Sequence, residues 1–184
     1  MIVFYLFVLS VSLLVCVVAL LFIGAQVVAI FTTDAPFVPI PGGIDEKIIE
    51  TLKLGDNSVL YELGCGDARV LRKASEKYPG IKMVGVEIAF IPYLLARFKS
   101  RKYRNIKIKR ENIFRTHVGD TTHIFMYLYP HVVEKLMPIL KNKCKPGTRI
   151  VSCDFQDKHR KAEEVIPITS RSHTRGKNLF IYVV

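Results

Sequence analysis

Between Met1 and Thr33 the sequence has no Lys, Arg, Asp, Glu or His, so the whole formal charge of +11 falls on the chain that follows. Ile2 to Ile30 are apolar apart from Ser10, Ser12, Gln26 and the small Gly24. A helix of that length, at about 1.5 Å per residue, covers a hydrocarbon core of about 30 Å with room to tilt. A cleaved signal peptide needs Lys or Arg ahead of an apolar core of about 7 to 15 residues, and both features are missing. A retained transmembrane anchor over residues 1–31 is therefore expected. Basic residues such as Lys47 and Lys53 follow this segment and none precedes it, which places the rest of the chain on the cytoplasmic or an equivalent side.

Further absences narrow the class. Cys16 lies in the apolar segment, and Cys65, Cys144 and Cys153 are scattered without CxxC spacing. His117, His123, His131, His159 and His173 also lack ligand spacing, so neither a disulfide framework nor a metal site is expected, and a reducing compartment follows. There is no internal repeat. At 50% hydrophobic and 23% charged residues the chain is not a disordered tail, and 184 residues hold one domain with an appendage.

The remainder alternates strands and helices. Thr32 to Gly43, with Pro36, Pro39, Pro41 and two glycines, is an extended connector over residues 32–43. In the domain over 44–184, helices are expected at Asp45 to Leu54, Arg69 to Tyr78, Ile91 to Ser100 and His131 to Lys143. Strands are expected at Ser58 to Leu63, Lys82 to Val86, Ile106 to Lys109, His123 to Leu128, Arg149 to Cys153, Glu164 to Thr169 and Asn178 to Val184. Such alternation implies parallel pairing, right-handed crossovers and a three-layer doubly wound α/β domain. The last two strands are too close for a crossover helix, so one of them runs antiparallel.

In such sheets ligands bind beyond the carboxyl ends of the strands, where the strand order reverses. The first of these ends carries Glu62-Leu63-Gly64-Cys65-Gly66-Asp67. A dinucleotide GxGxxG would need Gly at Arg69, and a P-loop would need Gly-Lys-Ser/Thr, which is absent. What remains is an acidic residue and GxG after a strand. The next strand ends at Glu87, about 20 residues on, where a carboxylate can take both ribose hydroxyls of a nucleoside. The third ends at Glu111-Asn112-Ile113, where an amide can read an adenine edge.

The segment Glu62 to Asp67, with Glu87 and Asn112, resembles motifs I, II and III of the class I S-adenosylmethionine-dependent methyltransferases. The charge-free N-terminal helix followed by Ala35-Pro36-Phe37-Val38-Pro39 is similar to the small membrane-anchored protein-lysine methyltransferases. Mitochondrial members of that family modify the adenine nucleotide translocase and the c subunit of ATP synthase. The resemblance implies a Rossmann-like three-layer sandwich with a mostly parallel seven-stranded sheet, one antiparallel strand and a preceding transmembrane helix. It implies S-adenosyl-L-methionine as cofactor. Glu62, Gly64, Gly66 and Asp67, with Cys65 between the glycines, would hold its methionine moiety, Glu87 the ribose, Ile88 one adenine face, and Asn112 with Ile113 the adenine edge. Phe37 to Pro39 would lie over the cofactor as a lid. Ala68 stands where many relatives have Gly, and Asn112 where Asp is commoner.

Methyl transfer needs an unprotonated acceptor held in line with the donor. Tyr127-Leu128-Tyr129-Pro130 occupies the motif IV position, where Tyr129 can orient an amine, and Asp154 lies at the next strand end. Tyr127 and Tyr129 are equally compatible with core packing, and Asp154 with a turn. The implied activity is lysine N-methylation of a membrane or membrane-adjacent protein. The alternatives are a lipid amine, a small molecule or RNA as acceptor, or an idle scaffold. From Arg97 to Arg110 eight residues are Lys or Arg, a field suited to an anionic membrane surface. Nucleic acid is the less favoured partner, because no aromatic-interleaved binding stripe accompanies the charge.

Overall fold

The computed structural model describes residues 1–32, 40–169 and 175–184. Phe37 and Pro39, the expected lid residues, and His173 lie outside the described residues. The chain divides into two compact units, Met1–Pro36 and Phe37–Val184.

The first unit is carried by helix α1, Ile2–Thr32. Its stretch Phe4–Gly24 is long and apolar enough to cross a membrane, and none of that stretch is buried within the protein. Ser10 and Ser12 turn their hydroxyls back onto the carbonyls of Phe7 and Val8, so these side chains leave no polar donor unmet on an apolar helix.

The second unit runs α2 (Asp45–Leu52), β1 (Val59–Leu63), α3 (Arg69–Lys77), β2 (Lys82–Val86), α4 (Phe90–Ser100), β3 (Ile106–Lys109), β4 (His123–Met126), α5 (Pro130–Lys143), β5 (Arg149–Cys153), β6 (Glu164–Pro167) and β7 (Asn178–Val183). The seven strands lie in the order β3-β2-β1-β4-β5-β7-β6. β1 pairs in parallel with β2 and β4, and β7 runs antiparallel to both β5 and β6, which settles which of the last two strands is reversed. The order turns back between β1 and β4, the switch point at which doubly wound sheets bind ligands. Right-handed crossovers place α3 and α4 on one face of the sheet and α5 on the other.

β1 is buried from Leu60 onward, as a central strand covered on both faces must be. Ile48, Ile49 and Leu52 of α2 and Leu71 and Ala74 of α3 pack in the same core as Leu60 and Met83. α2 stops at Leu52, short of the expected Leu54, because Lys53 takes a left-handed conformation (φ 55°). β4 likewise ends at Met126, so Tyr127 to Tyr129 leave the ladder. Their backbone groups thereby leave the ladder just beyond the carboxyl end of β4.

Candidate active site

The turn after β1 is held by β2. The amides of Gly64 and Cys65 both donate to the carbonyl of Val86, at 2.9 and 3.0 Å. Gly64 has φ +76°, and a Cβ there would stand 2.7 Å from Leu128 Cδ2. Glycine is therefore required twice over, by backbone and by space. Gly66, at φ +55°, donates its amide to Glu87 Oε2 at 2.9 Å. Ala68 also takes a left-handed conformation (φ 58°) at the start of α3, which explains the glycine of many relatives at that position. Cys65 is buried beneath the turn, and burial pushes its thiol pKa well up, so it acts as packing and not as a nucleophile.

Two carboxylates converge on this turn. Glu62 is buried, and its Oε2 has no hydrogen-bond partner. Burial pushes its pKa well up, against the opposing pull of the Leu71 amide, Arg72 and Arg69. A buried acceptor without a donor, next to a turn that has no Cβ, suits a cationic or amine-bearing ligand group. Glu87 is also buried, and desolvation raises its pKa. Its Oε2 accepts from Gly66 and its Oε1 from the Ala89 amide at 2.8 Å. Each oxygen keeps a lone pair for a hydroxyl, so two vicinal hydroxyls fit this group. Asp67 is bound by cations instead. Although burial raises its pKa, Lys99 at 2.7 Å and Arg72 at 3.6 Å bring the balance below the usual carboxylate range.

The residues expected on the adenine side stand at adjacent strand ends. Ile88, beyond β2, is 40% exposed. Asn112, beyond β3, accepts the Phe114 amide on Oδ1 at 2.9 Å and takes the Arg115 and Thr116 amides on its own carbonyl. This Asx turn fixes the side chain and leaves Nδ2 as a donor. Ile113 follows it, half-buried. Glu62, Gly64, Cys65, Gly66, Asp67, Glu87, Ile88, Asn112 and Ile113 thus all stand at the carboxyl ends of β1, β2 and β3.

The β4 and β5 ends carry the remaining candidates. Tyr129 caps α5, with its ring stacked on His131 at 6.1 Å. Tyr127 stacks instead on Phe155 beyond β5, at 6.4 Å. Burial and Asp154 push the Tyr127 phenol up to about 12. Asp154, at φ 64°, accepts the Gly176 amide on Oδ2 at 2.6 Å and the Lys177 amide on Oδ1 at 2.7 Å. Asp154 ties β5 to the segment entering β7, and any contact with an acceptor must share those oxygens. Among the described residues no three His, Cys, Asp or Glu side chains gather as a metal site requires.

One residue escaped the sequence reading. Arg69, in the first turn of α3, donates to the carbonyls of Ile40 (2.7 Å) and Pro41 (3.1 Å) and pairs with buried Asp45 at 2.9 Å. It fastens the connector's end and the start of α2 to the glycine turn. A cation at a helix N-terminus opposes the helix dipole, and that misfit was the available signal.

Residues 62–164 match the family described as the ANTKMT methyltransferase domain. A protein-lysine N-methyltransferase from Saccharolobus islandicus (strain REY15A) is 31% identical over 159 residues, covering 84% of this chain and 96% of the relative. An RNA methyltransferase from Salinibacter ruber, solved with S-adenosyl-L-homocysteine, superposes with a TM-score of 0.72 at 26% identity, covering 79% of this chain and 93% of that one. Precorrin-6y C5,15-methyltransferase from Geobacter metallireducens GS-15 shares the fold, with a TM-score of 0.62 at 16% identity over 83% and 92% of the two chains. The chain therefore belongs to the ANTKMT methyltransferase domain family of class I S-adenosylmethionine-dependent methyltransferases.

Proposed function

We propose that this methyltransferase is a membrane-anchored protein-lysine N-methyltransferase acting on a membrane or membrane-adjacent protein. The observation that carries the acceptor class is the near full-length match to a protein-lysine N-methyltransferase. The apolar stretch Phe4–Gly24 supports the anchor. The charge-free start and the basic residues after it support a single pass, with the catalytic domain on the cytoplasmic or an equivalent side.

S-adenosyl-L-methionine supplies a sulfonium-bound methyl group, and the chain's residues position donor and acceptor. Glu62 would hold the positively charged methionine end with Gly64 and Gly66, Glu87 the ribose hydroxyls, and Ile88, Asn112 and Ile113 the adenine. Asp67 contributes to the methionine side while paired with Lys99. With the cofactor bound, a neutral lysine amine would take its methyl group, the new nitrogen–carbon bond forming as the carbon–sulfur bond breaks and the amine's proton leaving to solvent. Tyr129 and Asp154 flank the acceptor side, with Tyr127 and Phe155 beside them. A phenol held up to about 12 remains a hydrogen-bond partner for the neutral amine and not a base.

RNA is the second reading, favoured by the 26% identity to an RNA methyltransferase. Tyr127-Leu128-Tyr129-Pro130 lacks the Asn/Asp-Pro-Pro-aromatic pattern that grips a base amine, which favours lysine. Radiolabelled methyl transfer into membranes, split into protein, lipid and nucleic acid, decides between them. Label is expected in protein and absent from a Glu87→Ala reaction. Label confined to RNA or lipid sinks the lysine assignment, and no label in any fraction indicates an idle scaffold.

A further inference from the structure

α4 is seated on the sheet by its small residues. Ala96 and Ser100 are its buried side chains. At about 100° per residue they fall on one side of the helix, and Phe90, Ile91, Leu94, Leu95 and Phe98 cluster on the opposite side. Those five are 52%, 42%, 43%, 44% and 63% exposed. Helices of a doubly wound domain turn their apolar stripe to the sheet, whereas this one presents it outward, as an interaction surface does.

The segment that carries this stripe has one sign of charge, and of its flanking cations only Lys99 is held by a carboxylate among the described residues, Asp67 at 2.7 Å. No Asp or Glu occurs from Phe90 to Arg110. Arg97 and Lys99 flank the stripe and Arg101 and Lys102 close its end. The Arg101 guanidinium lies 4.1 Å from the Phe98 ring centre, and that of Arg110 lies 5.0 Å from the Phe90 ring centre. Arginines held against the exposed rings keep positive charge at the margin of the apolar face.

We propose that this face of α4 docks on an anionic lipid surface. Its five large apolar side chains enter the boundary between headgroups and acyl chains, and Arg97, Arg101, Lys102 and Arg110 meet lipid phosphates. Charge complementarity selects the anionic bilayer as occupant, and α1 supplies a stretch able to hold the same chain at one. The proposal rests on the anchored reading in that respect alone. It has a consequence for the site, because Glu87 accepts the Ala89 amide at the head of α4. A docked helix keeps the rim of the cofactor site at headgroup level, where lysines of membrane proteins emerge.

The sequence contains no Trp, so Phe98→Trp makes a single reporter. The full chain is reconstituted into phosphatidylcholine vesicles with or without phosphatidylglycerol, using lipids brominated near the top of the acyl chain. Leu94→Trp is a second reporter on the same face, Lys141→Trp on α5 is the control, and Leu14→Trp reads α1. Cofactor binding equal to that of the parent chain certifies each as folded. With phosphatidylglycerol present, Phe98→Trp and Leu94→Trp emission should shift to the blue and lose most of its intensity, and high salt should reverse both changes. Lys141→Trp should stay water-like. Water-like emission from both face reporters in anionic vesicles overturns the proposal. So does emission that is blue-shifted yet indifferent to brominated lipid, as a second copy or the chain's own connector on this face requires. A shift produced by RNA in place of anionic lipid also overturns it. Absence of quenching at Leu14→Trp counts against the anchor and leaves the α4 result standing.

Discussion

Glu62, in β1 just before the glycine turn, has an orphaned Oε2 and a pKa raised by burial. The fold therefore favours its protonated form. Its contribution to stability is complete below the ordinary glutamate pKa and is lost as pH rises toward the raised value in the folded chain. A cationic methionine end pulls the other way and favours the carboxylate, so cofactor affinity should increase with pH across the same window. Glu62→Gln should flatten both dependences, raise the melting temperature at neutral pH and weaken cofactor binding about 10- to 100-fold, the loss of one charge-assisted contact. Calorimetric titrations and melts at a series of pH values read both effects, and an unchanged pH slope of affinity in Glu62→Gln removes the carboxylate from the site. Gly64→Ala tests the turn itself. The left-handed backbone costs about 1–2 kcal/mol with a Cβ present, and the Leu128 contact adds to that. Leu128→Ala in the same chain should recover the contact and leave the backbone cost, a non-additivity that denaturant unfolding resolves.

At the scale of elements, the strands were legible because a parallel sheet covered on both faces needs short apolar runs, as at Val59–Leu63 and Arg149–Cys153. Helix ends were less so, since Lys53 in a left-handed conformation has no glycine to announce it. The motif glycines were legible because few residues tolerate φ above zero, and the position of Glu87 because it directly follows the apolar strand β2. Arg69 was not legible, because its partners are the carbonyls of Ile40 and Pro41 and the buried Asp45, which the chain brings together only through tertiary contact. Nor did periodicity tell which side of α4 meets the sheet. The outcome rests on Ala96 and Ser100 permitting close approach. Arg69→Ala should therefore act at a distance from the chemistry. Asp45 keeps Lys73 at 3.4 Å, so the loss is expected at about 1–3 kcal/mol, below that of a fully stripped buried charge. Hydrogen exchange should show the amides just after Pro41 opening first, and cofactor affinity should fall with Glu87 still in place. Exchange unchanged around Gly42 and Gly43 would show that the connector is held by something else. Gly85→Ala is the corresponding test within a strand. A Cβ there would stand 2.8 Å from Cys65 Sγ and 2.9 Å from both Ile108 and Leu71, an overpacking cost of about 1–3 kcal/mol in a chemical melt.

For the whole molecule, the divided composition has a mechanistic consequence. The described elements of the unit Phe37–Val184 are its seven strands and the helices α2 to α5. If the acceptor is a membrane protein, affinity for it can also come from outside the site. A membrane tether would supply it as concentration, because confining two partners to one bilayer makes the second encounter effectively intramolecular, with avidity gains of about 10²–10⁴. If α1 acts this way, removing residues 1–36 should leave methylation of a short lysine peptide unchanged and slow methylation of the native target in membranes by about 100-fold or more. The pair of rates is the measurement, since a truncation that damages the fold lowers both together. Equal loss on peptide and membrane target identifies a folding defect, and no loss on either makes α1 an address alone. A loss restricted to the membrane target, restored when an unrelated apolar helix replaces α1, shows that the chain at its N-terminus contributes proximity and nothing sequence-specific.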